Sequence, residues 1–193
     1  EFQPDIIKTG KIDQVLGKRQ PILVQILKEP ISTKGPRLSC EITIPGRYIV
    51  LTPFSNGLAI SKKISNADER KRLQVLISSI RPINFGIIVR TASDGKKVAD
   101  LHDEMRSLIS KWEDMHSQLV SQQQPDKLLS EIDRTSSILR DVLNESFNKI
   151  VIDDKAMYKN IKDYLANIAP DQVGIVQSHR SRRPIFDAYG VNR

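Results

Sequence analysis

The chain has one cysteine, Cys40, among 193 residues. That excludes an internal disulfide and any metal site built from cysteine alone. Cys40 lies in an alternating apolar pattern and is read as a buried structural thiol. No apolar run is long enough to span a bilayer, and no secretory signal pattern opens the chain. The expectation is a cytoplasmic protein without a membrane partner. Also missing are a Ser-His-Asp order, a phosphate-loop motif and a dinucleotide fingerprint. His102 and His116 have no His, Cys or carboxylate partners at ligand spacing and read as surface or boundary residues. What remains is long enough to bury a real core, in one to three small domains.

Charge is where the chain is rich. The formal net charge is +7, which suits a polyanionic partner. It is unevenly spread. Residues 1–63 hold ten Lys or Arg against five Asp or Glu, so +5 of the +7 falls in the first third. The front end is therefore the electrostatic candidate for nucleic acid, through phosphate contacts and counterion release.

Periodicity gives the elements. Residues 21–27 read as a strand, and residues 37–44 alternate as its partner across a loop carrying Lys34-Gly35. Further strands are expected over 47–53, with Tyr48 a sheet residue or a base-stacking platform, and over 58–63, ending in Lys62-Lys63. A helix starts at Asn66 with Glu69 as its capping-box partner, buries Leu73, Leu76, Ile77 and Ile80, and stops at Pro82. The next helix carries Val98, Leu101, Met105, Leu108, Trp112, Met115 and Leu119 at alternating spacings of three and four. Its stripe serves either intramolecular packing, the favoured reading, or association with another helix in an oligomer. After the polar linker 122–126 come helices over 125–132 and 134–147. A strand 149–152, a helix to Ala169 and a strand 173–177 then make a β–α–β run. Asp153-Asp154 invite a metal-pair reading, but they sit where a helix begins and are better explained as its cap.

The most informative stretch is Gly86-Ile87-Ile88-Val89-Arg90-Thr91-Ala92-Ser93-Asp94-Gly95. A buried strand ends in a guanidinium and a hydroxyl, and Ser93-Asp94-Gly95 reads as the start of the following helix. The planar Arg fork matches phosphate oxygens, Thr adds a neutral donor, and helix-start amides favour an anion. The densest basic run, His179-Arg180-Ser181-Arg182-Arg183, is read either as an RNA-backbone contact or as a charged loop.

Arg90-Thr91 takes on meaning beside the segments Lys28–Leu38 and Ile44-Pro45-Gly46-Arg47-Tyr48-Ile49-Val50-Leu51, and beside Arg182-Arg183-Pro184-Ile185-Phe186-Asp187-Ala188-Tyr189-Gly190-Val191. Taken in this order, the motifs resemble the ribonuclease E/G family of bacterial endoribonucleases, over nearly the whole chain. The resemblance implies an α+β chain in three parts: residues 1–44 as the end of an OB-type RNA-binding barrel, 45–132 as a mixed sheet-and-helix 5′-sensor domain, and 133–193 as part of a ribonuclease H-like subdomain. An incomplete barrel has unpaired edges, so residues 1–44 are expected to be partly disordered or stabilised by packing on neighbours.

The resemblance also implies a pocket for the 5′-monophosphate of single-stranded RNA. Its Arg-Thr pair falls on Arg90 and Thr91, and its Gly and Val on Gly46 and Val50. Lys62 and Lys63 stand where the family often has two arginines; they keep the charge and lose the bidentate fork. Lys34 falls on a basic RNA-contacting position of the OB-type domain. The family's Asp-Ile-Asn-Ser metal motif and its zinc-linking cysteine motif do not occur in this sequence. The expectation is thus a middle fragment without catalytic or metal residues, inactive alone, whose parent is an Mg²⁺-dependent endoribonuclease of RNA processing and decay. Its partners would be RNA and the remainder of that enzyme. Two alternatives are a helical interaction module with generic RNA affinity and a complete enzyme of another kind.

Overall fold

A computed structural model of the chain describes residues 10–121, 127–130, 133–144 and 146–192. It is a mixed α+β structure in two compact units, residues 1–129 and 130–193. No described helix is long and apolar enough to cross a membrane.

Unit 1 begins with a short helix α1 (Ile12–Val15) and a two-stranded antiparallel sheet, β1 (Gln25–Lys28) with β2 (Arg37–Ser39). Among the described residues this hairpin closes no barrel. It is fastened to the unit by packing: Leu23 and Ile42 lie against the core. The Gln25 amide also pairs with Thr43, accepting from its backbone N at 2.8 Å and donating to its carbonyl at 3.2 Å.

The strand expected over 37–44 is broken. Ser39 Oγ accepts from the amide of Glu41 at 3.0 Å, a local turn that competes with the ladder. Strand β2 therefore stops at Ser39, and the chain resumes as β3 (Ile44–Pro45). Cys40 falls in the break and is exposed, which corrects the buried-thiol reading.

The main sheet adds β4 (Ile49–Pro53), β5 (Leu58–Ile60) and β6 (Phe85–Val89) to β3, in the order β3-β4-β6-β5. Only the β5–β6 pair is parallel, because α2 (Ala67–Ile80) provides the crossover. One sheet face presents Ile44, Ile49, Leu51, Phe85, Ile87 and Val89 to a buried core. Helix α2 covers it with Leu73 and Ile77, and α3 (Val98–Ser121) with Leu101, Met105, Leu108, Trp112 and Met115. The heptad stripe is thus spent on the unit's own core; only its ends, Val98 and Leu119, are exposed.

Two helix starts differ from expectation. Asn66 caps α2, its side-chain oxygen accepting from Asp68 and Glu69 amides. Glu69 turns elsewhere, to Arg72 and the Gly95 amide, so the capping box is half used. Gly95 has φ +66, a left-handed conformation that a helix cannot contain. Residues Thr91–Ser93 therefore make only one 3₁₀ turn, and α3 waits until Val98.

Unit 2 has its own core, with Leu139, Leu143, Ile152, Ile161, Leu165 and Val176. Helix α4 (Arg134–Val142) is shorter than the expected 134–147, and an Asn144 side chain accepting from the Ser146 amide at 2.9 Å turns the chain. Strand β7 (Ile150–Ile152), helix α5 (Lys155–Ile168) and strand β8 (Val176–Ser178) form the expected β–α–β run, with the strands parallel. Pro170 opens a 3₁₀ stretch to Ile175, which delays β8 by three residues. Asp154 is the N-cap of α5, accepting from the Met157 amide at 2.7 Å. Helix α6 (Ile185–Ala188) follows the basic run. The linker 122–126 and half of the helix expected over 125–132 lie outside the described residues; the described half, 127–130, is not helical.

Candidate nucleic-acid interface

Strand β6 delivers Arg90 to the end of the main sheet. There the chain leaves the core: Arg90 is half-buried, and Thr91 and Ala92 are exposed. The Arg90 amide donates to Tyr48 O at 2.8 Å, and Arg90 Nη1 donates to Gly46 O at 2.8 Å. Ser93, fully buried, donates its hydroxyl to the same Tyr48 carbonyl at 2.6 Å. The turn before β4 is thereby laced to the turn after β6. Tyr48 lies in that turn rather than in the strand, half-buried, with the Arg47 guanidinium 5.6 Å from its ring centre.

Gly46 is buried, and its missing side chain has a use. A Cβ there would lie 2.7 Å from Glu104 Cδ and 2.8 Å from Ile49 O. The close approach that this glycine permits is made by the Glu104 carboxylate. Glu104 reaches from α3 and accepts from the amides of Arg47 at 2.6 Å and of Tyr48 and Ile49 at 2.8 Å each. Burial is the largest influence on this carboxyl and raises its pKa; the three amides and the charge of Arg90 oppose it.

Thr91 is exposed, and its Oγ1 lies 2.8 Å from Ser61 Oγ. Ser61 opens the turn that carries Lys62 and Lys63, both exposed, and its Oγ also accepts from the Lys63 amide at 3.3 Å. Arg70 on α2 holds this turn from beneath: its Nη1 donates to Ser61 O at 2.7 Å and to Ile64 O at 3.1 Å. Below, Arg72 grips Glu69 with a two-bond fork at 2.7 Å each, and Glu69 accepts from the Gly95 amide at 3.0 Å.

The sheet face opposite the core carries an apolar row. Register pairs Pro45 with Val50, Val50 with Ile88, and Ile88 with Ala59, one residue from each strand. Ile88 is 43% exposed, and Val50 is half-buried. The fold therefore gathers Gly46, Val50, Lys62, Lys63, Arg90 and Thr91 at one sheet. Lys34 belongs elsewhere, to the tight turn closing β1 and β2, where its backbone pairs with Ile31.

Sequence reasoning missed Ser61, Arg70, Ile88 and Glu104. For Glu104 the available signal was its place between core positions Leu101, Met105 and Leu108 on α3, where an acid needs a partner. Among the described residues no group of three or more His, Cys, Asp or Glu could hold a metal ion.

These features describe an α+β protein with a cluster of cationic and hydroxyl side chains at the end of a small sheet. Residues 43–193 match the model of the ribonuclease E/G family. The chain is 36% identical over 184 residues to ribonuclease E of Nostoc sp. (strain PCC 7120 / SAG 25.82 / UTEX 2576), covering 94% of this chain and 27% of that one. It is 35% identical to a ribonuclease E/G-like protein of Pyropia yezoensis, covering 95% and 37%. It is 30% identical to ribonuclease G of Haemophilus influenzae, covering 95% and 38%. The chain belongs to the ribonuclease E/G family. It spans between 27% and 38% of the length of these relatives.

Proposed function

We propose that unit 1 recognises the 5′-monophosphate end of single-stranded RNA, as part of an endoribonuclease of RNA processing and decay. The observation that carries the reading is the meeting of Arg90 and Thr91 with the Gly46 turn and the Ser61–Lys63 turn. A guanidinium has five N–H donors, so a fork held by Gly46 O can also serve phosphate oxygens. Of the two facing hydroxyls, Ser61 and Thr91, each has one proton, and only one can be spent between them. The other proton is then a donor for the phosphate. Lys62 and Lys63 add charge without directional demand. Val50 and Ile88 offer an apolar wall to the terminal sugar or base.

In this reading Lys34 contacts RNA backbone away from the 5′ end, and β1–β2 belongs to the end of an OB-type barrel. The domains run 1–44, 45–132 and 133–193, the last contributing its β–α–β run to a ribonuclease H-like subdomain. Cleavage with Mg²⁺ belongs to the parent enzyme, with residues outside those described. A triphosphate fits less well, because fixed donors in a small site suit one group.

The test is binding of a short single-stranded RNA to the full chain, with 5′-monophosphate against 5′-hydroxyl ends at fixed salt. A monophosphate preference lost in Arg90→Ala is expected. Equal binding of both ends by the unaltered protein overturns the reading.

A further inference from the structure

A buried carboxylate needs compensation, and Glu104 obtains it from three successive amides. Consecutive N–H groups pointing to one centre form a concavity suited to an anion. Here the anion is supplied by the protein itself, from α3, across 55 to 57 residues of sequence. Gly46 leaves the space in which the carboxylate sits. The turn wrapped around it then presents Gly46 O to Arg90 Nη1 and Tyr48 O to the Arg90 amide. The charge of Arg90 acts back on Glu104. One carboxylate thus fixes the backbone on which the guanidinium rests and supplies a counter-charge to it.

We propose that Glu104 is the positioning residue of the phosphate pocket: it sets the 46–49 turn and thereby aims Arg90. This rests on the 5′-end reading given above. Glu104 does not touch RNA; it acts through Gly46 O and Arg90. A group that served only to hold the fold together would, when replaced, weaken stability and leave end discrimination alone. A positioning group must change discrimination.

The experiment measures, on the full chain, the ratio of affinities for 5′-monophosphate and 5′-hydroxyl RNA in the unaltered protein, Arg90→Ala and Glu104→Gln, with folding checked by circular dichroism. Glu104→Gln keeps the shape, loses the charge, and turns one acceptor into a donor facing donors. The expected result is a fall in the ratio of about tenfold or more, as for loss of a charged hydrogen bond, with affinity for 5′-hydroxyl RNA unchanged. A folded Glu104→Gln protein with an unaltered ratio overturns the proposal while leaving the 5′-end reading intact. No preference in the unaltered protein overturns the 5′-end reading, and this proposal with it. If Glu104→Gln does not fold, Glu104→Asp replaces it, since one methylene less withdraws the carboxylate from the amides. A reduced ratio in that variant supports the proposal, and an unchanged ratio overturns it. If neither variant folds, Glu104 is a fold anchor and the proposal fails.

Discussion

The hydroxyls of Ser61 and Thr91 face each other at 2.8 Å, joining the ends of β5 and β6, which run parallel. Ser61 also accepts from the Lys63 amide. That bond favours Ser61 as donor to Thr91, which turns the Thr91 proton outward. Thr91→Val is therefore expected to weaken 5′-monophosphate RNA binding by about one neutral hydrogen bond, roughly fivefold. Ser61→Ala should cost less, because Thr91 keeps its own proton. Fluorescence anisotropy with labelled RNA of both end types measures this, and 5′-hydroxyl RNA should respond to neither change.

Arg70 sustains the same turn through its backbone carbonyls. Its Nη1 bridges Ser61 O and Ile64 O, and Ile64 is itself buried in the core. Arg70→Ala leaves two carbonyls short of a charged donor and should lower unfolding free energy by about 1–2 kcal/mol. Denaturant unfolding measures the loss. A change below experimental error would show the turn to be held by Ile64 packing alone.

Two carboxylates give the pH profile opposite slopes. Glu69 is lowered from 4.5 to about 2, with the Arg72 hydrogen bond the largest cause and the Gly95 amide adding to it against burial. Its contribution is full above the unfolded value of 4.5 and is lost as pH falls toward about 2. Glu104 is raised above 4.5, chiefly by burial. Its folded form holds a proton more tightly than the unfolded chain, so stability from this group falls as pH rises from 4.5 through its folded value. Denaturant unfolding across pH, followed by the single Trp112, should show both. Glu69→Gln should remove the acid-side decline, and Glu104→Gln the opposite slope that begins above 4.5.

Trp112 is 1% exposed and stands edge-on to two rings, Phe54 at 5.2 Å and Phe85 at 6.5 Å. It ties α3 to the strand ends. Trp112→Ala should cost about 3–5 kcal/mol, the range for emptying a large aromatic site. Circular dichroism melting would register it as a loss of many degrees or as failure to fold.

What could be read from the sequence divides along a physical line. Periodic burial was legible: the α3 stripe, the α2 face and the β–α–β run all follow from spacing, because each residue's environment repeats with its own helix or strand. The Asn66 and Asp154 caps were legible because a cap bonds within its own first turn. Arg90-Thr91 stood out as polar residues ending an apolar run. Glu104 did not, since its partners lie 55 to 57 residues away and nothing local marks them. The late start of α3 was hidden for another reason: Ser93 looks like a cap but spends its hydroxyl on Tyr48 O, 45 residues back. Where a short-range rule and a long-range bond compete for one side chain, sequence pattern shows only the first.

Cys40 tests that lesson directly. Alternation places it inward, yet the Ser39–Glu41 turn ends β2 one residue before it and leaves the thiol exposed. An exposed thiol in a folded protein meets reagent without waiting for unfolding. Cys40 should therefore react with a water-soluble disulfide reagent at a similar rate in buffer and in denaturant. A buried thiol would instead react in buffer only through opening, slower by orders of magnitude. Cys40→Ser should shift unfolding free energy by less than about 0.5 kcal/mol, as surface substitutions do. Slow native reaction together with a large stability loss would restore the buried reading and would require β2 to continue through Cys40.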